Sequence, residues 1–256
     1  MQAMDVTLLH GNASANYQMA VLSKLESNTL SDRVVEYIIE YIRERELQAG
    51  DRMPSQVQIS ADLKISRGIV REAFQSLTAA GILEVGVGRS PKVGTLNNVL
   101  LTNVMRHALS TRQVSIHQVL DIRCSIEIRA AELAAETRTE RDVADLRAAV
   151  SGMNRALKNP DRFVPQDVRF HEIIGGATGN PLFQLLTRTL RECMETSIRA
   201  GLESRTTRSQ LTRIVETHSA IADAIESRQT ARAGYLMKVH FDEAKTEGKA
   251  VLRKRA

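Results

Sequence analysis

Six stretches with helical periodicity follow one another through residues 115–253, and only a few residues separate each from the next. Separators such as 137–142 and 158–161 carry Thr, Asn and Asp, which cap helices and are typical of turns between antiparallel neighbours. A chain of 256 residues with 14 glycines and 5 prolines also has too few turn residues for a β sandwich or barrel. The sequence therefore predicts a mainly α protein with an antiparallel helical bundle at its C-terminal end. The expected helices are Ser115–Glu136, Thr139–Leu157, Asp161–Ala177, Pro181–Gly201, Thr206–Ser227 and Thr230–Leu252.

The N-terminal third of the chain holds shorter elements. Apolar residues at helical spacing over 34–42 predict a first helix, with Ser31 as its N-cap. Ser55 is placed to cap a second, short helix, and Ser66 is placed to cap a third. The glycine-rich segment 82–94 alternates like two short strands around a turn. Three helices followed by a hairpin is the order of a winged helix-turn-helix, which places one helix in the major groove of DNA.

These patterns divide the chain into four segments. We expect a polar leader over 1–27, a winged helix-turn-helix over 28–95, a connector over 96–114 with room for a short helix, and a helical effector-binding and dimerisation domain over 115–253.

Two cysteines are too few for a disulfide framework or a cysteine-based zinc site, and no apolar run is long enough to span a membrane. We therefore expect a cytoplasmic protein without a signal peptide.

Positive charge is concentrated around the third helix and the hairpin. The whole chain has a formal charge of +5, and residues 64–95 contribute an excess of three positive charges. Arg67 and Arg71 are four residues apart, so both point to the same side of the third helix near its N-terminus. Helix N-termini favour phosphate, and arginine can bind guanine through two hydrogen bonds. A solvated helix face or an ordinary hairpin explains each feature alone, whereas the combination in this order favours DNA binding.

Three stretches resemble the N-terminal domain of the GntR family of bacterial transcription regulators. They are Leu47-Gln-Ala-Gly-Asp-Arg-Met-Pro-Ser55, Ser66-Arg-Gly-Ile-Val-Arg-Glu-Ala-Phe-Gln-Ser-Leu77 and Gly81-Ile-Leu-Glu-Val85. The resemblance implies that the third helix and the wing at 86–89 contact DNA bases or phosphates. The DNA-binding positions it implies are Ser55, Ser66, Arg67, Arg71, Gly88 and Arg89. Val57 departs from the family pattern, because many members carry an arginine there, so one contact is missing or replaced.

One aspartate and three histidines form a candidate metal site in the bundle. Asp167 and His171 are four residues apart, the spacing that lets two ligands on one helix face converge on a metal ion. His218 and His240 lie on the last two long helices, which a short linker forces to pack side by side. A histidine on an inward helix face is more often a satisfied core residue than a ligand, so the spacing alone leaves both interpretations open.

The same region resembles the FadR-like effector domain, the FCD fold, found in the largest branch of the GntR family. The landmark stretches are 119–135, Asp167-Val-Arg-Phe-His171, Gly179-Asn-Pro-Leu182, 218–225 and Met237-Lys-Val-His240. Members that carry the aspartate and all three histidines look like metal binders. The resemblance therefore implies a divalent metal, Zn²⁺ or Ni²⁺, on the ligands Asp167, His171, His218 and His240.

Open positions on such a metal suit the oxygens of a small organic acid, with a nearby cation to neutralise the rest of the ligand. Arg123 is the candidate for this cation, because its spacing places it at the edge of an inward helix face. The alternative is a surface ion pair with Glu127, four residues further on, which is worth a few tenths of a kcal/mol. The sequence does not decide between the two.

These features predict a ligand-responsive DNA-binding regulator, specifically a repressor released by a small carboxylate bound at the metal. We expect a homodimer on an inverted-repeat operator, because a two-fold protein matches a two-fold site. One alternative is a metal-dependent enzyme acting on a small carboxylate, although no residue of the bundle fits a general base and we expect no catalytic site. The other alternative is a regulator whose helical domain only dimerises, with its histidines filling the core.

Overall fold

The computed structural model describes residues 29–86, 88–203 and 207–255, which fall into two compact units. The first unit ends at Leu100 and the second begins at Leu101. The described residues form helices and one two-stranded sheet, so the predicted fold class, a winged N-terminal part and a helical C-terminal part, is confirmed. The leader predicted over 1–27 lies outside the described residues, and the four-segment division remains a prediction.

The N-terminal unit is built from three helices and a hairpin. Its elements are α1 Leu30–Glu44, α2 Gln56–Leu63, α3 Arg67–Ala79, β1 Leu83–Glu84 and β2 Lys92–Val93. Residues at helical spacing on α1 (Val34, Ile38) and α3 (Val70, Phe74, Leu77) are fully buried where the two helices pack. Burial of one such side chain stabilises the fold by about 1.5–3 kcal/mol. This packing fixes which side of α3 faces solvent.

Two of the predicted helix caps in this unit are confirmed. Ser55 Oγ accepts a hydrogen bond from the Gln58 N–H at 3.2 Å, and the Gln58 side chain accepts one from the Ser55 N–H at 2.8 Å. Ser66 Oγ accepts from the Ile69 N–H at 3.4 Å. Each serine satisfies a backbone donor that the helix itself leaves without a partner, so α2 and α3 begin where the sequence places them.

The choice of Ser31 as the N-cap of α1 is wrong, because the cap is Thr29 and the helix begins at Leu30. Thr29 Oγ1 accepts a hydrogen bond from the Asp32 N–H at 3.2 Å, and the Asp32 carboxylate accepts one from the Thr29 N–H at 3.0 Å. This reciprocal capping box satisfies two helix-end donors at once. Ser31 lies within the first turn instead and is buried.

The hairpin is attached to the segment that precedes α2. β1 and β2 pair antiparallel in a register that sets Leu83 opposite Val93. The Gly50 N–H donates to the Val93 carbonyl at 2.9 Å, and the Val93 N–H donates to the Asp51 carbonyl at 2.8 Å. Because these bonds continue the sheet beyond β2, the hairpin is fixed to the body of the unit at its base.

The second unit is a helical bundle, as predicted, and each expected helix is present. Its helices are α4 Val99–Ser110, which begins before the unit boundary, α5 Ile116–Thr137, α6 Glu140–Arg155, α7 Pro160–Ala177, α8 Pro181–Glu203, α9 Arg208–Glu226 and α10 Thr230–Arg255. α5 is central, since it packs against α7, α8, α9 and α10. The separators end in the N-caps Ser115, Thr139, Asn159 and Thr207, which accept backbone hydrogen bonds.

Small side chains bring the central helices close together. The C-terminal half of α5 presents four buried alanines where it packs in the bundle core. They are Ala130, Ala131, Ala134 and Ala135. The middle of the same helix buries two charged side chains, Arg123 and Glu127, and the apolar Val119 and Leu120 are buried nearer its N-terminus. The apolar core of the bundle therefore has to accommodate charge along the middle of α5.

The predicted connector contains a helix of its own. α4 spans Val99–Ser110, and its buried Thr102 presents a backbone carbonyl 3.8 Å from Cys193 Sγ on α8. This contact attaches α4 to the bundle.

None of the helices among the described residues has the length and apolar character that a membrane span requires.

We predict different stability effects for the same substitution at two glycines of the N-terminal unit. A Cβ on Gly94 would lie 2.1 Å from the Gly81 carbonyl oxygen, so Gly94→Ala must displace backbone and should destabilise the unit by about 1–3 kcal/mol. A Cβ on Gly68, in the first turn of α3, meets only Ser66 Oγ at 3.8 Å. Gly68→Ala should therefore be neutral or stabilise by up to about 1 kcal/mol. Urea unfolding followed by circular dichroism measures both, and equal effects would contradict the close approach at Gly94.

Candidate functional site

The exposed side of α3 carries the residues predicted to bind DNA. Ser66 caps the helix, Arg67 is its first residue, and Arg71 follows one turn later. All three are exposed, whereas Val70 and Phe74 on the opposite side are buried. The N-terminus of α3 therefore combines free helix-end N–H groups with two guanidinium groups on one side, an arrangement that suits phosphate and base edges.

α2 contributes less charge than the family pattern leads us to expect. The Ser55 hydroxyl is engaged as the N-cap of this helix. Val57, at the position where many members of the resembled family carry arginine, is 52% exposed. An exposed valine offers neither a charge nor a hydrogen-bond donor. Any contact that an arginine makes from this position in other proteins is absent from α2 of this chain.

The wing ends in a tight turn. The Arg89 N–H donates to the Gly86 carbonyl at 3.2 Å, and Gly88 has a φ of +68°, which glycine adopts without strain. Gly88 and Arg89 are both exposed. At the base of the wing, the Glu84 carboxylate accepts hydrogen bonds from the Thr95 N–H at 3.1 Å and hydroxyl at 2.9 Å. The turn therefore presents Arg89 at the tip of an anchored hairpin.

The second candidate site lies inside the bundle, where three helices bring the predicted metal ligands together. Asp167 and His171 lie on α7, His218 on α9 and His240 on α10. The three imidazole centroids are 4.7–5.5 Å apart, and ligand nitrogens of the three rings lie within 4.8 Å of one another. Asp167 Oδ1 lies 3.0 Å from His218 Nε2. His171 and His218 are fully buried and His240 is partly buried.

A hydrogen bond determines which nitrogen of His218 faces the cluster. Nδ1 lies 2.7 Å from the backbone carbonyl of Ile214. A carbonyl only accepts, so Nδ1 carries a proton, and in the neutral form of the ring Nε2 then offers a lone pair. That lone pair faces Asp167 Oδ1, which is also an acceptor. Two acceptors 3.0 Å apart repel each other unless a positive charge lies between them, and either a proton on Nε2 or a bound cation can supply that charge.

Glu127 orients the second buried imidazole in the same way. Glu127 Oε2 is in direct contact with His171 Nδ1, which favours the tautomer with the proton on Nδ1. His171 Nε2 lies 3.9 Å from Asp167 Oδ1 and has no hydrogen-bond partner within the described parts of the chain. His171 and His218 therefore both direct Nε2 toward Asp167.

The surrounding charges keep the cluster in forms that bind metals. Burial and the positive charge of Arg191 lower the pKa of His171 to about 4. Burial and the neighbouring His218 and His171 lower the pKa of His240 well below its usual value. Although burial alone raises the pKa of Asp167, Arg191 holds this pKa well below its usual range. At neutral pH the His171 and His240 rings are neutral and Asp167 is ionised, so none of them must lose a proton to bind a metal.

Arg191 is a site residue that the sequence-based prediction misses. It lies on α8, is fully buried, and pairs with Asp167 Oδ2. Arg191 Nε is buried without a hydrogen-bond partner among the described residues. The sequence contains a signal in the spacing of Thr187, Leu190, Arg191 and Met194, which places them on one helical face. The structure buries all four. An arginine within such an inward stripe marks a polar site in the core.

Arg123 forms the ion pair with Glu127 that the sequence offers as one of two alternatives. Its Nε lies 2.8 Å from Glu127 Oε1, but both side chains are at most 4% exposed, so the description of this pair as a surface feature is wrong. Arg123 Nη1 also lies 3.6 Å from Met194 Sδ, and the guanidinium lies 5.2 Å from the centre of the Phe241 ring. Whether Arg123 also contacts an effector stays a prediction.

Comparison with known proteins adds independent findings. Residues 30–93 match the bacterial regulatory proteins of the gntR family, and residues 118–243 match the FCD domain. LutR, an HTH-type transcriptional regulator of Bacillus subtilis, is 29% identical over 204 residues, which cover 78% of this chain and 92% of LutR. NanR, an HTH-type transcriptional repressor of Salmonella schwarzengrund, is 24% identical over 233 residues, which cover 90% of this chain and 88% of NanR.

A solved structure shares the fold. A GntR protein of Streptococcus agalactiae matches with a TM-score of 0.60 at 21% identity, covering 85% of this chain and all of that one. The matching families and named relatives are regulators of transcription, which supports the expectation that this chain is not an enzyme. The chain belongs to the GntR family of bacterial regulatory proteins, carries an FCD domain, and is a DNA-binding regulator of transcription.

Proposed function

We propose that this chain is a ligand-responsive repressor whose effector is a small carboxylate bound at a metal ion in the helical unit. The observation that carries the proposal is the pair of facing acceptors, Asp167 Oδ1 and His218 Nε2, in a buried cluster with two further imidazoles. These two acceptors need a positive charge between them, which comes either from a proton on His218 Nε2 or from a bound cation. A divalent cation supplies this charge and gives the cluster a function that a satisfied histidine core would not have.

Asp167, His171, His218 and His240 are the proposed ligands. Three imidazoles and one carboxylate form a donor set that accepts Zn²⁺ or Ni²⁺. When bound, the metal supplies a Lewis-acidic centre that binds carboxylate or hydroxyl oxygens of a small acid. The chain's own residues orient the ligands, since the Ile214 carbonyl and Glu127 hold the protons of His218 and His171 on their Nδ1 atoms.

Charge balance indicates why the effector is an anion. With neutral imidazoles, the buried pairs Arg123–Glu127 and Arg191–Asp167 sum to zero charge. A divalent metal then leaves a net charge of +2 in a buried site, which is costly in a low-dielectric interior. A carboxylate lowers that cost, and the Arg191 Nε–H is a buried donor available to one of its oxygens.

DNA binding is proposed to use α3 and the wing. Arg67 and Arg71 contact bases or phosphates, Ser66 and Ser55 support the backbone contacts, and the turn at Gly88 and Arg89 reaches the edge of the site. A homodimer on an inverted repeat follows from the symmetry of such operators. Repression, rather than activation, is supported by the printed name of NanR, a repressor that matches 90% of this chain.

We predict that Arg67→Ala and Arg71→Ala weaken binding to an operator selected from a random-sequence DNA library. Loss of a base contact should cost about 1–3 kcal/mol, and loss of a phosphate contact should reduce the salt slope by about one. Arg141→Ala is the matched control, because this arginine of α6 is 91% exposed and loses the same charge. Fluorescence anisotropy at several salt concentrations measures each variant. Unchanged affinity and slope in both α3 variants would contradict the proposed DNA surface.

Purified protein should bind one divalent metal per chain at the four proposed ligands. Metal held at about 1,000 times its dissociation constant should stabilise the folded protein by roughly 4.1 kcal/mol, so chelation should lower the melting temperature. His240→Ala should abolish both the bound metal and the effect of chelator, whereas His117→Ala, an exposed histidine at the start of α5, should change neither. Elemental analysis and thermal melts provide the readouts. Metal-free protein that is insensitive to Zn²⁺ and Ni²⁺ would favour a helical unit that only dimerises.

A small organic acid should stabilise the metal-loaded protein only. A panel of hydroxy acids, dicarboxylates, tricarboxylates and sugar acids is screened by thermal melt, with and without chelator. An acid at about 100 times its dissociation constant adds roughly 2.7 kcal/mol to the free energy of unfolding. The shift should disappear in chelator and in His240→Ala. An acid that stabilises the chelated protein equally well would show that its site does not include the metal.

A further inference from the structure

Two charged side chains next to the proposed ligands are themselves buried and each touches a ligand. Glu127 lies on α5 and is 2% exposed, and Arg191 lies on α8 and is 1% exposed. Glu127 contacts His171, and Arg191 contacts Asp167. Neither residue belongs to the aspartate and histidine set described above. α5 and α8 therefore each contribute a buried charged side chain that contacts one of the proposed ligands.

Glu127 connects His171 to a second helix and to a positive charge. One carboxylate oxygen contacts His171 Nδ1, and the other lies 2.8 Å from Arg123 Nε. The ion pair with Arg123 holds the carboxylate in place, so the imidazole ring can rotate only by losing its contact with Glu127. This chain of contacts directs His171 Nε2 toward Asp167 Oδ1, 3.9 Å away.

Arg191 binds one oxygen of the Asp167 carboxylate, so that the other oxygen faces the histidines. Arg191 Nη2 contacts Oδ2, while Oδ1 faces His218 Nε2 at 3.0 Å and His171 Nε2 at 3.9 Å. Without the guanidinium, the carboxylate is free to turn about its terminal torsion, which has a broad energy profile. The arginine therefore keeps a single oxygen directed at the histidine nitrogens.

We propose that Glu127 and Arg191 are positioning residues for the metal, Glu127 by orienting His171 and Arg191 by orienting Asp167, an inference that rests on the proposed metal site. Partners of this kind fix the tautomer and direction of a ligand and raise metal affinity. The two act from different helices on different ligands. Substitution of either residue should therefore weaken metal binding.

The test measures the Zn²⁺ dissociation constant of the full-length protein by competition with a chromophoric chelator. Glu127→Gln and Arg191→Met should each weaken Zn²⁺ binding by about 10- to 100-fold. Matched controls lie on the same helices: Glu132→Gln on α5, whose partner is the half-exposed Arg129, and Arg188→Met on α8, which is 57% exposed. Both controls should stay within about twofold of the unsubstituted protein, in line with the small energies of exposed ion pairs.

Removing one member of a buried ion pair can also disturb the fold, so two further measurements separate positioning from folding. Arg191→Lys keeps the charge and should bind Zn²⁺ with an affinity between those of Arg191→Met and the unsubstituted protein. The visible absorption spectrum of the Co²⁺-loaded protein reports ligand geometry directly, and it should change in Glu127→Gln and Arg191→Lys while circular dichroism does not.

The outcomes distinguish this inference from the proposal on which it depends. If the unsubstituted protein binds neither Zn²⁺ nor Co²⁺, the metal site itself is wrong. If it binds them, and Glu127→Gln and Arg191→Lys match it in Zn²⁺ affinity and in Co²⁺ spectrum, Glu127 and Arg191 are structural only and the inference is overturned. If Arg191→Met does not fold, the other two variants decide in the same way.

Discussion

Pairing of buried charges within the bundle core is the constraint on which the rest of the helical unit depends. The ionisable side chains gathered there come from five helices: Arg123 and Glu127 from α5, Asp167 and His171 from α7, Arg191 from α8, His218 from α9 and His240 from α10. An unpaired charge in such a place costs several kcal/mol, so each charged member requires its partner in position. The relative placement of five helices is therefore tied to one electrostatic network.

Local patterns in the sequence predict most of the helices and the hairpin of this fold. Capping residues and apolar periodicity act over three to eight residues, so they can be recognised without knowledge of tertiary contacts. The wrong choice of Ser31 as the N-cap of α1 also comes from reading a local pattern. Thr29 and Ser31 are both acceptable caps by residue type, and the choice is made by Asp32, whose carboxylate completes a capping box only with Thr29. Competing caps two residues apart are decided by such reciprocal bonds.

The candidate site was only partly predictable, for a physical reason. The spacing of Asp167 and His171 reports a shared helix face, but the contact of Asp167 with Arg191 joins residues 24 positions apart on different helices. No local pattern encodes such a contact. The pair Arg123 and Glu127 shows a related limit, since spacing of four residues predicts an ion pair equally well on the surface and in the core. Burial, which decides what the pair does, depends on the neighbouring helices.

The charge of the network also determines how metal and effector must act on each other under the proposed function. With neutral imidazoles, the metal-free cluster is balanced, with two arginines against two carboxylates, whereas the metal-loaded cluster carries an excess of two positive charges. An acid that neutralises this excess binds better when the metal is present. By thermodynamic reciprocity the acid then raises metal affinity by the same factor. Because five helices meet at this network, an effector that binds one packing of these helices more tightly than another would shift the protein toward that packing, which is what an effector needs in order to change DNA binding.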